Sequence, residues 1–326
     1  MAHHFRLSVP MFRLAIGLAA PLATLLGTQL AQADGMAFIL NSASSSVSVV
    51  DMTARREVRR IPALREPHHI VLSPDGKSLL IGDTAGNQIM FLDPVTGAVQ
   101  RRVPISDPYH LAFSPNGKLL VVNGLARNQV DVYDAATLAL IKRFPVDSTP
   151  SHLDFSPDSR FAFVSLQNTG KLAAFDLTTM TPKWTEPIGP TPAGVLWWRD
   201  KVMVANMGAD YVAVADPETG KVVDRIVTGK GAHTLFLAPD KKILWVNNRA
   251  SGTTVALDAQ TLKIIRVYNI PGGPDDIDFA PDGTLWITRR FAEKVAVLHP
   301  DTGAFETISV GRSPHGLWLN PKAPAP

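Results

Sequence analysis

Six of the nine histidines in this chain fall at one pair of positions in an internal repeat. The best-formed copy spans residues 108–118, Pro-Tyr-His-Leu-Ala-Phe-Ser-Pro-Asn-Gly-Lys. In each copy a pair of residues precedes the apolar alternation. Around the chain these pairs are His68-His69, Tyr109-His110, Ser151-His152, Ala193-Gly194, His233-Thr234, Asp275-Asp276 and His315-Gly316. Nine histidines scattered over 326 residues would place about 0.4 in those 14 positions. Neutral imidazole suits Cu, Zn, Fe or Ni, and a His-only set with an open position can carry or activate a ligand. His69, His110 and His152, in the same register on three consecutive copies, are therefore expected to hold a transition metal, Cu or Zn. His68, His233, His315 and Asp276 would add ligands or orient them.

Two other readings account for the same enrichment. The pairs could surround an anionic small molecule or a haem-like cofactor, with Arg289 or Arg290 on its carboxylates. Alternatively the imidazoles are inherited with the repeat, each ring nitrogen bonding a neighbouring unit's backbone with no ligand present.

The elements that must position these residues follow from the period. Turn prolines stand at 74, 115, 157, 239, 281 and 321, with Arg199 in the fourth place, at steps of 40 to 42 residues. Each unit reads as four short strands. A strand begins at His110, Ser114-Pro-Asn-Gly117 makes a tight turn, and residues 119–123 and 130–134 are further strands. A more polar fourth strand covers residues 139–146. An Asp ends most third strands (Asp51, Asp93, Asp134, Asp176, Asp216, Asp258), with His299 in the last copy, and Thr usually follows to cap the turn. Seven opening strands, with the last followed by nothing and the chain beginning on a second strand, predict an all-β, seven-bladed β-propeller. The C-terminal strand would complete the N-terminal blade and remove a free sheet edge.

This topology places the pairs at the mouth of the central channel, together with the second-strand ends Asp83, Asn123, Asn206, Asn247, Arg289 and Arg290. That concave mouth is the expected ligand site, with these six as cofactor-binding candidates. Channel width is expected to let only neighbouring blades share an ion. Trp245, Trp286 and Trp318 are expected to pack between blades.

Residues 120–124 (Leu-Val-Val-Asn-Gly) and 128–134 (Asn-Gln-Val-Asp-Val-Tyr-Asp), preceded by Ser-Pro-Asn-Gly-Lys, resemble the YVTN-type repeats of bacterial and archaeal β-propellers. The resemblance covers residues 37–321 and implies the fold. Its relatives include surface-layer, lactonase-like and haem-d1-binding propellers. The fourth copy departs from the pattern at Val195-Leu-Trp-Trp-Arg-Asp-Lys201, which lacks the usual turn.

Arg6 and Arg13, an apolar run over residues 14–26 and the small residues Ala31 and Ala33 read as a signal peptide cleaved after Ala33. The run has 13 residues, short of the roughly 20 that span a bilayer. The expected organisation is thus a signal peptide, 1–33, and one propeller domain, 34–326, secreted or periplasmic. Cleavage lowers the formal charge from +3 to +1, which leaves no basic excess for nucleic acid or anionic membranes and no membrane span in the mature form. The chain has no Cys, which rules out disulfides, thiolate catalysis and thiolate metal sites. Serine-hydrolase, Walker and haem-attachment motifs are absent. The reading is an exported propeller that binds a metal or small ligand as a binding or accessory protein. A metal-dependent or lactonase-like enzyme and a protein-interaction scaffold with a periplasmic partner are the alternatives.

Overall fold

A computed structural model of the chain describes Met1 and residues 35–63 and 65–323. The proposed signal peptide and its cleavage site lie, but for Met1, outside the described residues. From residue 35 onward the described residues belong to one unit, Gln32–Pro326.

Seven four-stranded antiparallel sheets form the blades of a β-propeller. Blade I is closed as expected: Pro314–Asn320 pairs with Met36–Asn41, followed by Ser46–Asp51 and Arg56–Pro62. Blades II to VII open with Pro67–Leu72, Pro108–Phe113, Pro150–Phe155, Pro192–Trp198, Ala232–Leu237 and Pro274–Phe279. These first strands neighbour one another around the ring, Pro314–Asn320 lying between Pro274–Phe279 and Pro67–Leu72.

The burial of each strand follows its composition. Second and third strands such as Leu79–Asp83 and Gln88–Leu92 are buried at every residue, because both faces pack on neighbouring blades. Fourth strands are mostly exposed, as in Val99–Pro104, and their Arg and Gln side chains meet water. Trp286 is wholly buried with Ile39 and Val50 of blade I, and Trp245 packs with Ile287 of blade VII. Trp318 lies 6.0 Å from Phe38.

Two local devices set the geometry of the channel. The first is a latch between blades, which fixes how adjacent first strands sit. Ser42 Oγ donates to Pro67 O (2.8 Å), Thr84 Oγ1 to Pro108 O (3.3 Å), Asn123 Nδ2 to Ser151 O (2.8 Å), Ser165 Oγ to Ala193 O (2.7 Å) and Thr288 Oγ1 to His315 O (2.8 Å). The second is a break in register between first and second strands, present in every blade at the pair singled out above. The first strand begins at the proline, not after the pair. The pair therefore lies within the strand, where a bulge re-aims side chains that simple alternation would send to opposite faces.

The turns have their expected form, with one departure. Gly76 and Gly117, both at φ 70°, close Ser-Pro-Asx-Gly turns through N–H bonds to Ser73 O and Ser114 O. Blade V instead pairs Trp198 with Lys201 across Arg199 (φ 51°) and Asp200 (φ 58°). Two consecutive left-handed residues make the mirror-image turn that suits a twisted hairpin.

Candidate functional site

The bulged pairs gather all six histidines into one cluster at the channel. His68, His69, His152, His233 and His315 are buried, and His110 is half-buried. The His69 ring sits among the others, with centroids 4.3 Å from His110, 4.7 Å from His68, 4.7 Å from His315 and 5.0 Å from His152. His233 lies 5.4 Å from His152 and 6.0 Å from His315. Two pairs carry glycine for lack of room. A Cβ on Gly316 would meet His68 O at 2.9 Å, and one on Gly194 would meet His233 O at 2.7 Å.

The convergence corrects the expectation that only neighbouring blades can share an ion. Donor nitrogens of His152, His233 and His315, from blades IV, VI and I, lie within 4.8 Å of one another. A second such group is His68, His69 and His315. The expected trio, His69, His110 and His152, is brought into ring contact, with His110 and His152 5.3 Å apart. Its nitrogens are not among the groups that converge to ligand distance among the described residues. Side chains reaching in from bulged strands cross the neck of the channel, so strand separation does not limit them.

Hydrogen bonding accounts for only part of the cluster. His69 Nδ1–H donates to Tyr109 O of blade III (2.7 Å), which leaves Nε2 as the lone pair. His68 Nδ1 is 2.9 Å from His69 Nδ1. His152 Nδ1 meets Ser151 Oγ at 2.8 Å, and Gln167 Nε2 donates to that hydroxyl at 3.0 Å. His233 Nδ1 lies 2.7 Å from Asp275 Oδ1, and Arg249 Nη2 donates to His233 Nε2 at 2.7 Å. Among the described residues, His110 Nδ1, His152 Nε2 and both nitrogens of His315 are buried with no hydrogen-bond partner. An unpaired buried polar group costs about 1–3 kcal/mol.

Asp275 is the cluster's fixed charge. Its wholly buried carboxylate takes Arg249, Arg290 (3.3 Å) and His233, with His315 Nε2 at 3.7 Å. Burial works against that charge, but His315, Arg249 and His233 outweigh it and hold the carboxyl well below its ordinary range. Its neighbour Asp276 is driven the other way, by burial and by the Asp275 charge. Asp276 Oδ2 accepts the Leu317 N–H at 3.1 Å, and Asp278 Oδ2 accepts that of Leu319 at 2.8 Å. Asp276 thus braces the first strand of blade I, and it also lines a cavity of about 100 Å³ with His69, His110, His152 and His315.

Burial pushes all six imidazoles below their ordinary pKa, His233 to about 4. The unfolded chain takes up protons as pH drops through about 6.5, while the folded cluster refuses them, so stability is lost on acidification. Each group contributes up to roughly 1 kcal/mol per pH unit. Burial raises the Asp154 and Asp278 carboxyls to about 6, Asp276 well above its ordinary range, and Glu66 and Asp107 as well. These carboxyls act in the opposite sense, adding stability as pH falls. The six imidazoles outweigh them between pH 7 and pH 5.5, because all six stay neutral in the fold while the unfolded chain protonates them there. The metal-free thermal midpoint is therefore expected to fall between pH 7 and pH 5.5, and a midpoint that rises would contradict the account.

The other site candidates are placed as follows. Arg290 reaches Asp275. Arg289 turns away, donating to Pro271 O (2.6 Å) with its guanidinium 5.6 Å from the Phe305 ring centroid. Asn123 latches blade IV, Asn206 donates to Val204 O (3.1 Å), and Asn247 accepts from Thr254 Oγ1 (2.7 Å). Asp83 accepts the Glu66 N–H (2.7 Å) and the Gly86 N–H (3.2 Å), which orders the loop into blade II. The amides and Asp83 therefore have structural partners, although Asn123 Oδ1 and Asn206 Oδ1 have none among the described residues. Sequence reasoning missed Asp275 and Arg249. Asp275 shares the first-of-pair register with His68, His233 and His315. Arg249 stands four residues after Trp245, as Arg290 stands four after Trp286. Register matching would have found both.

Fold and site together define a seven-bladed propeller with an imidazole-lined channel. The chain belongs to the YncE-like β-propeller family, whose model matches residues 10–325, a family related to the YVTN repeats but not identical with them. No curated protein matches the sequence. Among solved structures the chain is similar to Kuenenia stuttgartiensis hydrazine synthase, at 20% identity over 77% of this chain and 88% of that one, TM-score 0.67. It is similar to the dihydro-heme d1 dehydrogenase NirN in complex with DHE, at 18% identity over 91% and 78%, TM-score 0.66. A functionally unknown protein from Desulfotomaculum acetoxidans matches at 10% identity over 89% and 100%, TM-score 0.76. At these identities the similarities concern the fold.

Proposed function

We propose that this chain is an exported binding or accessory propeller that holds one transition-metal ion, Cu or Zn, on His152, His233 and His315. The observation that carries this reading is the set of four buried imidazole nitrogens without a partner, on His110, His152 and His315. Inheritance with the repeat would have each ring bond a neighbouring blade's backbone, and among the described residues His69 alone of the six has such a bond. Neutral imidazoles are the ligand form that Cu and Zn take. Asp275 on His233 Nδ1 is the kind of carboxylate partner that fixes a ligating ring's tautomer, and the ion would take the place of the Arg249 N–H on His233 Nε2.

The name of one similar structure, NirN, raises the haem-like alternative. A cavity of about 100 Å³ beside the imidazoles holds the equivalent of about three waters at roughly 30 Å³ each. That accommodates an ion and small oxygen ligands. Export rests on the basic start, the 14–26 apolar run and the Ala31/Ala33 pattern. No helix among the described residues is long and apolar enough to cross a membrane.

The test is elemental analysis of protein purified from its native compartment, followed by calorimetric titration of the metal-free form with Zn and Cu. One equivalent should bind to the wild type and none to a His152→Ala/His233→Ala/His315→Ala variant. Absence of binding to the folded wild type would end the metal reading.

A further inference from the structure

The charges around the imidazoles point to what completes the site. Arg249 and Arg290 both engage Asp275, so two guanidinium charges meet one carboxylate and one positive charge is left uncompensated. Glu66 is near enough to feel Arg290, but no hydrogen bond or ion pair joins them among the described residues. Arg290 gives Asp275 one N–H, of the five donors a guanidinium carries. Arg249 keeps a buried Nε–H with no acceptor. Both guanidinia are about a fifth exposed, 19% and 20%, so the pair is open to solvent. The two residues occupy the same register on adjacent blades VI and VII, one residue past the second strand in each case. A dication on neutral histidines here would add to a charge that is already positive. Burying such an excess without a counter-ion is strongly unfavourable.

We propose that Arg249 and Arg290 form a binding site for a small carboxylate anion at the mouth, which serves as the counter-charge and co-ligand of the metal. Paired guanidinia match a carboxylate with parallel N–H···O bonds in a way that lysine or an amide does not. The metal-bridging role rests on the proposed function, whereas carboxylate binding by the arginines stands without it.

The experiment is calorimetric titration of malonate into the full chain, metal-free and zinc-loaded. Malonate is expected to bind both forms, and at least tenfold more tightly with zinc. Arg290→Gln should weaken binding at least tenfold in both forms, and Arg290→Lys should fall between. Arg312→Gln should leave it unchanged, since Arg312 is an exposed arginine that bonds Ala43 O (3.0 Å). Thermal unfolding of Arg290→Gln in parallel separates lost binding from lost fold. Failure of malonate to bind either form, or binding by folded Arg290→Gln equal to the wild type, would overturn the proposal. If zinc itself does not bind, the proposed function fails, while Arg290-dependent malonate binding to the metal-free chain would still uphold the arginine site.

Discussion

The His315→Leu variant is expected to lose Zn or Cu affinity by at least about 100-fold and, without metal, to unfold at a higher temperature than the wild type. Each tenfold in affinity is about 1.4 kcal/mol, so the loss corresponds to roughly 3 kcal/mol. The two effects share one cause. Both His315 nitrogens are buried without a hydrogen-bond partner among the described residues, and each is a desolvated polar group costing about 1–3 kcal/mol in the empty protein. Leucine has similar bulk and carries no polar atom, and Asp275 keeps Arg249, Arg290 and His233 when the His315 contact at 3.7 Å is lost. The variant trades function for stability in the way strained sites commonly do. A histidine with a purely structural role would show the reverse: metal binding unchanged and a lower midpoint. Isothermal titration and metal-free thermal unfolding read the two parts separately.

Removal of residues 313–326 is expected to abolish cooperative unfolding or to lower the midpoint by more than about 10 °C. Pro314–Asn320 is the first strand of blade I and joins C-terminal to N-terminal strands within a single sheet. It buries Leu317 and Leu319, each 6% exposed, and sets Trp318 against Phe38. Burying such side chains contributes about 1.5–3 kcal/mol apiece, and a whole domain is stable by only about 5–15 kcal/mol. Without the strand, Met36–Asn41 becomes an open edge, and Asp276 and Asp278 lose the Leu317 and Leu319 amides they accept from. A truncated chain with the wild-type midpoint in differential scanning calorimetry would contradict the closure.

The fold was legible because each blade solves the same packing problem with the same residues. The period of the Ser-Pro-Asx-Gly turns, the Asp caps and the orphan strands at the two ends was enough for blade number and closure. The blade V turn was not legible, since Arg199 and Asp200 carry no sequence signature of the left-handed conformation they adopt. In the site, the six histidines stood out by position, but their convergence did not. A bulge is a matter of register between two strands, and neither strand announces it alone. Reading the pairs as lying ahead of the strand placed each imidazole on its own blade, whereas the bulge inside the strand brings His152, His233 and His315 together across the channel. The structural partners of the polar second-strand ends were hidden for a related reason. A buried amide such as Asn123 looks the same in sequence whether it awaits a ligand or latches the next blade, and here it donates to Ser151 O.

The most direct test is the anomalous-scattering map of crystals grown from zinc-loaded protein, collected on either side of the zinc edge. The account predicts one strong peak at about 2.0–2.1 Å from a nitrogen of each of His152, His233 and His315, with Asp275 retained on His233. A map with no peak in the channel, or with zinc bound only at surface carboxylates, would contradict it.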